Sequence, residues 1–160
     1  MNFTLFLQSA CLLTKDMWHR FCIFYKQKKE RRAKMDCYFY GMTKAADKEK
    51  DADGVVSFCI PDLGITFRAK FTGNQWECEY ASLLALLEFA ELNPHLFKNR
   101  HLEIFGNSYL VVHQVNQKLD CTQELKPYRD MALIYKKKMP YTLCWIPKSD
   151  NPAQDQIPSK

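Results

Sequence analysis

The stretch Leu102–Gln117, LEIFGNSYLVVHQVNQ, decides the fold of this chain. Apolar residues alternate at Leu102 and Ile104, which predicts a short buried strand that ends at Phe105. The small-residue turn Gly106-Asn107-Ser108 follows, and a helical pattern of apolar residues comes after it. Open α/β sheets place their functional groups where a strand ends and a helix begins. The sequence therefore predicts a functional position at Asn107, whose side chain forms hydrogen bonds but carries no charge.

Together with the patterns on either side of it, this stretch predicts one α/β domain that spans residues 35–160. Three strands come first, and Pro61-Asp62-Leu63-Gly64 predicts a turn between the second and the third. Helices of the right period lie on either side of the central strand, and a last short strand precedes a Pro-rich tail. The order is βββαβααβ. The predicted strands outside the central stretch are Cys37–Tyr40, Gly54–Ile60, Ile65–Phe71 and Tyr141–Trp145, and the predicted helices are Trp76–Leu92 and Cys121–Lys138, the latter with Pro127 as an irregularity.

Residues 1–34 differ in composition from the rest of the chain. They hold eight basic and two acidic residues, whereas the remaining residues hold 15 basic and 16 acidic ones. Apolar residues recur at helical spacing, which predicts an amphipathic helix followed by the basic run Lys26–Lys34. Three interpretations stay open: the segment packs on the domain or on a protein partner such as a second copy, it lies on an anionic membrane surface, or the protein starts at Met35. The apolar part is too short to span a membrane, so no transmembrane segment is predicted.

The cysteines and the missing motifs exclude several classes of protein. Seven cysteines lie far apart with no CxxC pair, which argues against a disulfide framework and against a zinc knuckle. Buried free thiols indicate a reducing compartment, and we expect an intracellular, cytoplasmic protein. The sequence has no phosphate-binding loop, nucleophile elbow or HExxH motif. Residues 35–160 are close to neutral, so they lack the general basic footprint of a nucleic-acid-binding domain.

Four motifs between residues 35 and 159 follow the order and spacing of one known family. The first strand runs into Gly41, where the family has Asp-Gly. The run Cys78-Glu79-Tyr80-Ala81 is similar to Ala-Glu-Tyr-x-Ala. Residues 105–116 are similar to Asp-Ser-x-Leu-Val-x-x-Gln-hydrophobic-x-Gly. Trp145-Ile146-Pro147-Lys148, followed by Asn151 and Asp155, is similar to Trp-Val-Pro-Arg and then Asn-x-x-Ala-Asp. The chain thus resembles the type 1 ribonuclease H family of the ribonuclease H-like superfamily.

The resemblance implies a fold and a chemistry. The implied fold is an α/β domain with a five-stranded mixed sheet, three antiparallel strands followed by parallel ones, and helices on both faces. The implied activity is Mg²⁺-dependent cleavage of the RNA strand of RNA–DNA hybrids, in which carboxylates hold two metal ions. The four carboxylate positions of the family fall on Tyr40, Glu79, Asn107 and Asp155 of this sequence.

Two of those four positions carry no carboxylate here. Mg²⁺ prefers charged oxygen ligands, and a phenol at Tyr40 and an amide at Asn107 do not supply the missing charge. Glu79 and Asp155 are the expected metal ligands if a metal binds at all. We therefore expect no cofactor for an impaired protein and Mg²⁺ for an active one.

The resemblance also implies how the domain would hold nucleic acid. The family grips the backbone of a hybrid with main-chain amides, Asn and Gln side chains and basic residues. The corresponding candidates are Gly41, Asn74, Gln75, Gln114 and Lys148, and Lys136–Lys138 adds local positive charge. RNA–DNA hybrid or another nucleic acid is therefore one expected partner, with the basic run Lys26–Lys34 as an auxiliary arm.

Two functions from different classes remain open at this point. The first is a catalytically impaired ribonuclease H-like module that binds nucleic acid or a protein partner. The alternative is an active, Mg²⁺-dependent ribonuclease with an unusual ligand set. Simpler roles also remain for single residues: Asn107 as a helix cap, and Glu79 as a first-turn glutamate that interacts with the helix dipole.

Overall fold

The computed structural model describes residues 34–44, 52–98 and 100–156. The predicted amphipathic helix and most of the basic run, up to residue 33, lie outside the described residues. Lys34 belongs to the first strand rather than to the preceding segment.

A five-stranded mixed sheet forms the centre of the domain, as predicted. Its strand order is β3-β2-β1-β4-β5. The neighbours β1 and β2, and β2 and β3, are antiparallel, whereas β4 runs parallel to both β1 and β5. The strands are β1 (Lys34–Thr43), β2 (Asp53–Ile60), β3 (Ile65–Thr72), β4 (His101–Gly106) and β5 (Tyr141–Trp145).

Strand β1 is longer than its sequence pattern predicts. It begins at Lys34 because its first residues pair with the start of β4, Lys34 with His101 and Met35 with Leu102. A pairing between strands that are 67 residues apart in the chain is not visible in a local pattern.

Four α-helices occur in the described ranges and connect the strands. The helix predicted to begin at Cys121 begins instead at Lys126, because Pro127 lies in its first turn, where a missing backbone N–H costs no helical hydrogen bond. A short helix that was not predicted follows Asn93 and begins with Pro94. The helices are α1 (Gln75–Leu92), α2 (Pro94–Phe97), α3 (Tyr109–Val115) and α4 (Lys126–Lys138), and 3-10 turns occur at Pro61–Leu63, Lys148–Asp150 and Pro152–Gln156.

The two faces of the sheet are covered differently. Met35, Cys37 and Phe39 of β1 point to the face that carries the α-helices and join one large hydrophobic core. Tyr38 and Tyr40 point to the second face, where the 3-10 turn Pro152–Gln156 packs on the sheet. The five cysteines among the described residues are free thiols, in keeping with the absence of a disulfide framework. Within the described part of the chain, no helix is long and apolar enough to cross a membrane.

Candidate functional site

The carboxyl ends of β1 and β4 bring Tyr40 and Asn107 to one edge of the sheet. Phe39 pairs with Gly106 in the parallel register, so the next residue of each strand comes at the same level. Tyr40 is 5% exposed, and Asn107 is half-buried. The structure thus places the two altered positions on adjacent strands, as the strand pattern predicts.

Helix α1 delivers Glu79 to the same edge through a close approach to β1. A Cβ atom at Gly41 would lie 2.5 Å from the backbone oxygen of Cys78, so only glycine permits this contact. The carboxylate of Glu79 accepts a hydrogen bond from Gln75 Nε2 at 2.9 Å and another, short one from Ser108 Oγ. Ser108 directly follows Asn107, so these contacts link α1 to the end of β4.

Asn151 connects the C-terminal 3-10 turn to the same edge of the sheet through hydrogen bonds. Its side chain is 1% exposed, and its amide nitrogen donates to Asn107 Oδ1 at 2.8 Å and to the backbone oxygen of Phe39 at 2.9 Å. Its own oxygen accepts from the backbone N–H of Ala153 at 3.1 Å. One buried amide therefore joins β1, β4 and the C-terminal 3-10 turn.

These side chains form two hydrogen-bonded groups, one of Gln75, Glu79 and Ser108 and one of Asn107 and Asn151, which meet where Asn107 precedes Ser108 in the chain. We call the five side chains the polar network. At one end of the polar network, Gln75 donates to the backbone oxygen of Gly41 and accepts from the backbone N–H of Thr43, both at 2.9 Å. Glu79 is its one carboxylate, and its other members are amides and a hydroxyl. The acceptors Glu79 and Asn107 are half-buried, and hydrogen bonds from the amides and the hydroxyl offset their partial loss of water.

Tyr40 closes the second face of the sheet beside the polar network. Its ring packs with Cys59 and Ala153, and the ammonium group of Lys148 lies 5.6 Å from the ring centroid. A cation over an aromatic face gains modest electrostatic energy at such a distance. The aromatic ring therefore fills with apolar contacts the position at which the resembled family has a carboxylate.

Asp155 is an exposed residue of the C-terminal 3-10 turn and lies near Cys59. Burial, and then the nearby charge of Asp155, raise the pKa of the Cys59 thiol to about 11. This proximity puts Asp155 on the side of the second face, whereas Glu79 projects from a helix on the core face. Within the described ranges, no group of three or more His, Cys, Asp or Glu side chains is arranged to hold a metal ion.

These donors do not match what a two-metal centre requires. Two adjacent divalent cations need several carboxylate oxygens to offset their mutual repulsion. The polar network offers one carboxylate, which accepts hydrogen bonds from Gln75 and Ser108, and one amide oxygen, which accepts from Asn151. No step through a metal ion is therefore assigned to this site.

Several residues predicted to contact nucleic acid have structural roles within the domain. Asn74 caps α1 by accepting from the backbone N–H of Glu77. Gln114 is 2% exposed, with its oxygen accepting from Tyr80 and its nitrogen donating to the backbone oxygen of Asp120. Gln75 belongs to the polar network. Gly41 is buried beneath α1. Lys148 is exposed, as a nucleic-acid contact must be.

The suggestion that Asn107 caps the following helix is wrong. Ser108 is the cap of α3, because its hydroxyl oxygen accepts from the backbone N–H of Val111 at 3.3 Å. Asn107 turns its side chain toward Asn151 instead. The sequence alone does not distinguish the two residues, since serine and asparagine are both favoured caps and the helical pattern fits either start.

No role is predicted from the sequence for Ser108 or Asn151, although both residues belong to the motifs that resemble the ribonuclease H family. Ser108 forms the link between Glu79 and the end of β4, and Asn151 forms the link to the tail. Both links join residues at least 29 positions apart, so no local pattern indicates them.

The fold described above is similar to solved structures of ribonucleases H1. Ribonuclease H1 of the halophilic archaeon Halobacterium salinarum NRC-1 has a TM-score of 0.60 and 24% identity, covering 77% of this chain and 92% of that one. LC11 ribonuclease H1, isolated from compost by a metagenomic approach, has a TM-score of 0.66 and 17% identity, covering 78% and 91%. The same enzyme in complex with RNA/DNA hybrid has a TM-score of 0.63 and 18% identity, covering 76% and 91%.

No model of a protein family matches the sequence, and no curated protein matches it. At identities below one quarter, the structural similarity establishes the fold. The chain has the ribonuclease H-like fold, and the prediction of that fold from four motifs is confirmed.

Proposed function

We propose that this chain is a ribonuclease H-like domain that binds nucleic acid without cleaving it. The observation that carries the proposal is the polar network, in which amides and a hydroxyl occupy the strand ends and Glu79 is the single carboxylate. Hydrolysis of a phosphodiester by two metals needs a cluster of charged oxygen ligands, and these residues do not supply it. The network supplies a rigid, almost neutral surface instead.

The binding half of the proposal is supported by the likeness to an enzyme solved with RNA/DNA hybrid. On this chain, Lys148 is the basic residue that lies beside the polar network. Its ammonium group can reach a phosphate, and salt should weaken such a contact strongly. Because residues 35–160 have no net positive charge, we propose that the part of the basic run that precedes β1, Lys26–Arg32, adds affinity as an arm outside the domain.

The proposal is tested by measuring binding and cleavage on the same labelled RNA–DNA hybrid. Fluorescence anisotropy in the presence of a chelator should show binding that weakens as salt rises. Incubation with Mg²⁺ or Mn²⁺ should leave the hybrid intact. Metal-dependent cleavage that disappears in Glu79→Gln and in Asp155→Asn would overturn the proposal in favour of an active ribonuclease. Absence of binding at low salt would overturn its binding half.

A matched pair of lysine variants localises the contact. Lys148→Gln should weaken binding about threefold and reduce its salt dependence, because one phosphate contact is lost. Lys137→Gln removes the same charge from an exposed lysine of α4, at the opposite end of the sheet, and should leave the affinity unchanged. Equal losses in the two variants would show that only overall charge matters.

The proposed division at residue 34 is tested with a shortened chain. A chain that starts at Met35 should keep the fold and bind the hybrid more weakly than the full chain, because it lacks the basic run. Equal affinity of the two chains in a gel shift would remove the arm from the proposal.

A further inference from the structure

Two exposed aromatic side chains flank Asn107 at the carboxyl end of the sheet. Tyr109, the first residue of α3, is 58% exposed, and Trp145, the last residue of β5, is 46% exposed. Exposure of a large aromatic side chain brings no gain in core packing. We call Tyr109, His113 and Trp145 the aromatic rim.

Both rings are held in place although they face solvent. The ring of Tyr109 stacks on His113 with centroids 3.9 Å apart and an interplanar angle of 22°. His113 Nδ1 donates to the backbone oxygen of Tyr109 at 2.9 Å, since a carbonyl can only accept. The indole of Trp145 donates from Nε1 to the backbone oxygen of Asn107 at 3.2 Å. Fixed rings lose little conformational freedom when a flat ligand stacks on them.

We propose that the aromatic rim binds an unpaired nucleobase by stacking. The preferred ligand is then nucleic acid with a single-stranded segment next to a duplex. The proposal rests on the proposed function and narrows it to a ligand class. Bases inside a duplex are stacked on one another, so only unpaired bases can present a free face to an aromatic side chain.

The charge near the aromatic rim fits this ligand. Lys148 lies three residues after Trp145, is exposed, and can pair with the phosphate of a stacked nucleotide. The single-stranded backbone adjoining a stacked base is negatively charged at every nucleotide. The tyrosine, the histidine and the indole tolerate any base, because every base has a flat face.

The experiment uses the full chain and three labelled probes. The first is a blunt RNA–DNA hybrid, the second carries a single-stranded extension, and the third carries an extension of equal length whose nucleotides lack bases. The native chain should bind the extended probe about tenfold more tightly than the blunt one, and the abasic extension should give little of that gain.

Variants assign the gain to the aromatic rim. Tyr109→Leu keeps an apolar side chain but removes the ring, and it should abolish most of the gain from the extension, whereas Tyr109→Phe should retain it. Phe67→Leu removes a partly exposed ring from β3, away from Asn107, and should leave the gain unchanged. Urea unfolding of each variant shows whether the fold is kept.

The outcomes distinguish failure of the aromatic rim from failure of the proposed function. Binding of the blunt hybrid with no gain from the extension overturns the aromatic rim and leaves the proposed function standing. An equal gain from the abasic extension assigns the effect to phosphates and also overturns the aromatic rim. A gain that persists in Tyr109→Leu and in Trp145→Leu overturns it as well. Absence of binding to all three probes overturns both proposals.

Discussion

The two ends of the parallel strands differ in the charged and polar contacts that they contain. At the amino end, Lys34 pairs with Glu103, Arg100 with Asp62, and Lys138 with Glu91. At the carboxyl end, the polar network joins strands and helix through neutral donors and one carboxylate. These three ion pairs thus lie at the end of the strands remote from Asn107, whereas the polar network at the other end, where α/β sheets place their chemistry, contains one carboxylate.

The basic residues of α4 also lie at the amino end of the parallel strands. Lys136 and Lys138 lie over the rings of Tyr141 and Tyr135, and Lys138 also pairs with Glu91. They belong to the amino end, because α4 leads directly into the start of β5. The run Lys136–Lys138 therefore lies at the end of the sheet remote from Asn107.

The largest expected effect comes from forcing α1 away from the carboxyl end. In Gly41→Ala, the new Cβ would meet backbone atoms of Cys78 and Glu79 at 2.5–2.7 Å, so strand and helix must separate. We expect a loss of about 3 kcal/mol in the free energy of unfolding, measured by urea titration. Gly73→Ala is the control, because its Cβ meets the flexible side chains of Phe71 and Glu77. Equal losses would contradict the close approach.

Removal of the central amide should come next. Asn151→Ala leaves the backbone oxygen of Phe39 and Asn107 Oδ1 without their donor in a buried place, which should cost about 2.5 kcal/mol in unfolding free energy. Asn93→Ala removes one amide contact to a backbone oxygen at the end of α1 and should cost less than half as much. A small loss in Asn151→Ala would mean that the tail is not fastened through this side chain.

Unfolding measured over a series of pH values tests how far water is excluded from the carboxyl end of the sheet. Burial raises the pKa of the Cys78 thiol from 9.0 to about 11, although hydrogen bonds to the backbone oxygens of Met42 and Val55 oppose the rise. Its stabilising contribution is complete below pH 9 and is lost as pH rises through 11. The difference in unfolding free energy between native chain and Cys78→Ala should therefore shrink by about 2 kcal/mol over this window. A constant difference would contradict a buried neutral thiol.

Addition of a negative charge at the carboxyl end of the sheet should destabilise the domain. Asn107→Asp keeps the shape and the hydrogen bond from Asn151 but adds a second carboxylate close to Glu79. Without divalent cations we expect a loss of about 1 kcal/mol in unfolding free energy through repulsion. Mg²⁺ should restore part of it, and NaCl at equal ionic strength should restore less. Equal recovery in the two salts would indicate screening alone.

The smallest effect is expected at the amino end. Lys138→Met breaks the exposed pair with Glu91 and should leave the thermal midpoint unchanged within error, because solvent and salt already weaken such pairs. The midpoint of native chain and variant, measured at low and high salt, checks this. A clear drop that salt removes would show that the ion pairs of the amino end contribute to stability.

Local patterns predicted the elements of this fold well, and they predicted contacts poorly. The alternation in Ile65–Phe71 and the helical spacing in Trp76–Leu92 located β3 and α1 within about a residue or two, because each pattern reports which face of one element is buried. The start of α4 was misplaced, since Pro127 is compatible with a first turn as well as with an irregularity. The start of β1 depended on pairing with β4, which no local window contains.

The sequence by itself determined the ribonuclease H-like fold and the neutral side chains of Tyr40 and Asn107 at the strand ends. These follow from residue identity and from order along the chain. Only the tertiary structure decided that Gln75 and Ser108 bind Glu79, that Asn151 binds Asn107, and that Gln114 lies in the core. It also decided that Tyr109 and Trp145 are exposed beside Asn107. The physical reason is that hydrogen bonds and burial depend on distances between residues far apart in the chain, which the folded sheet sets.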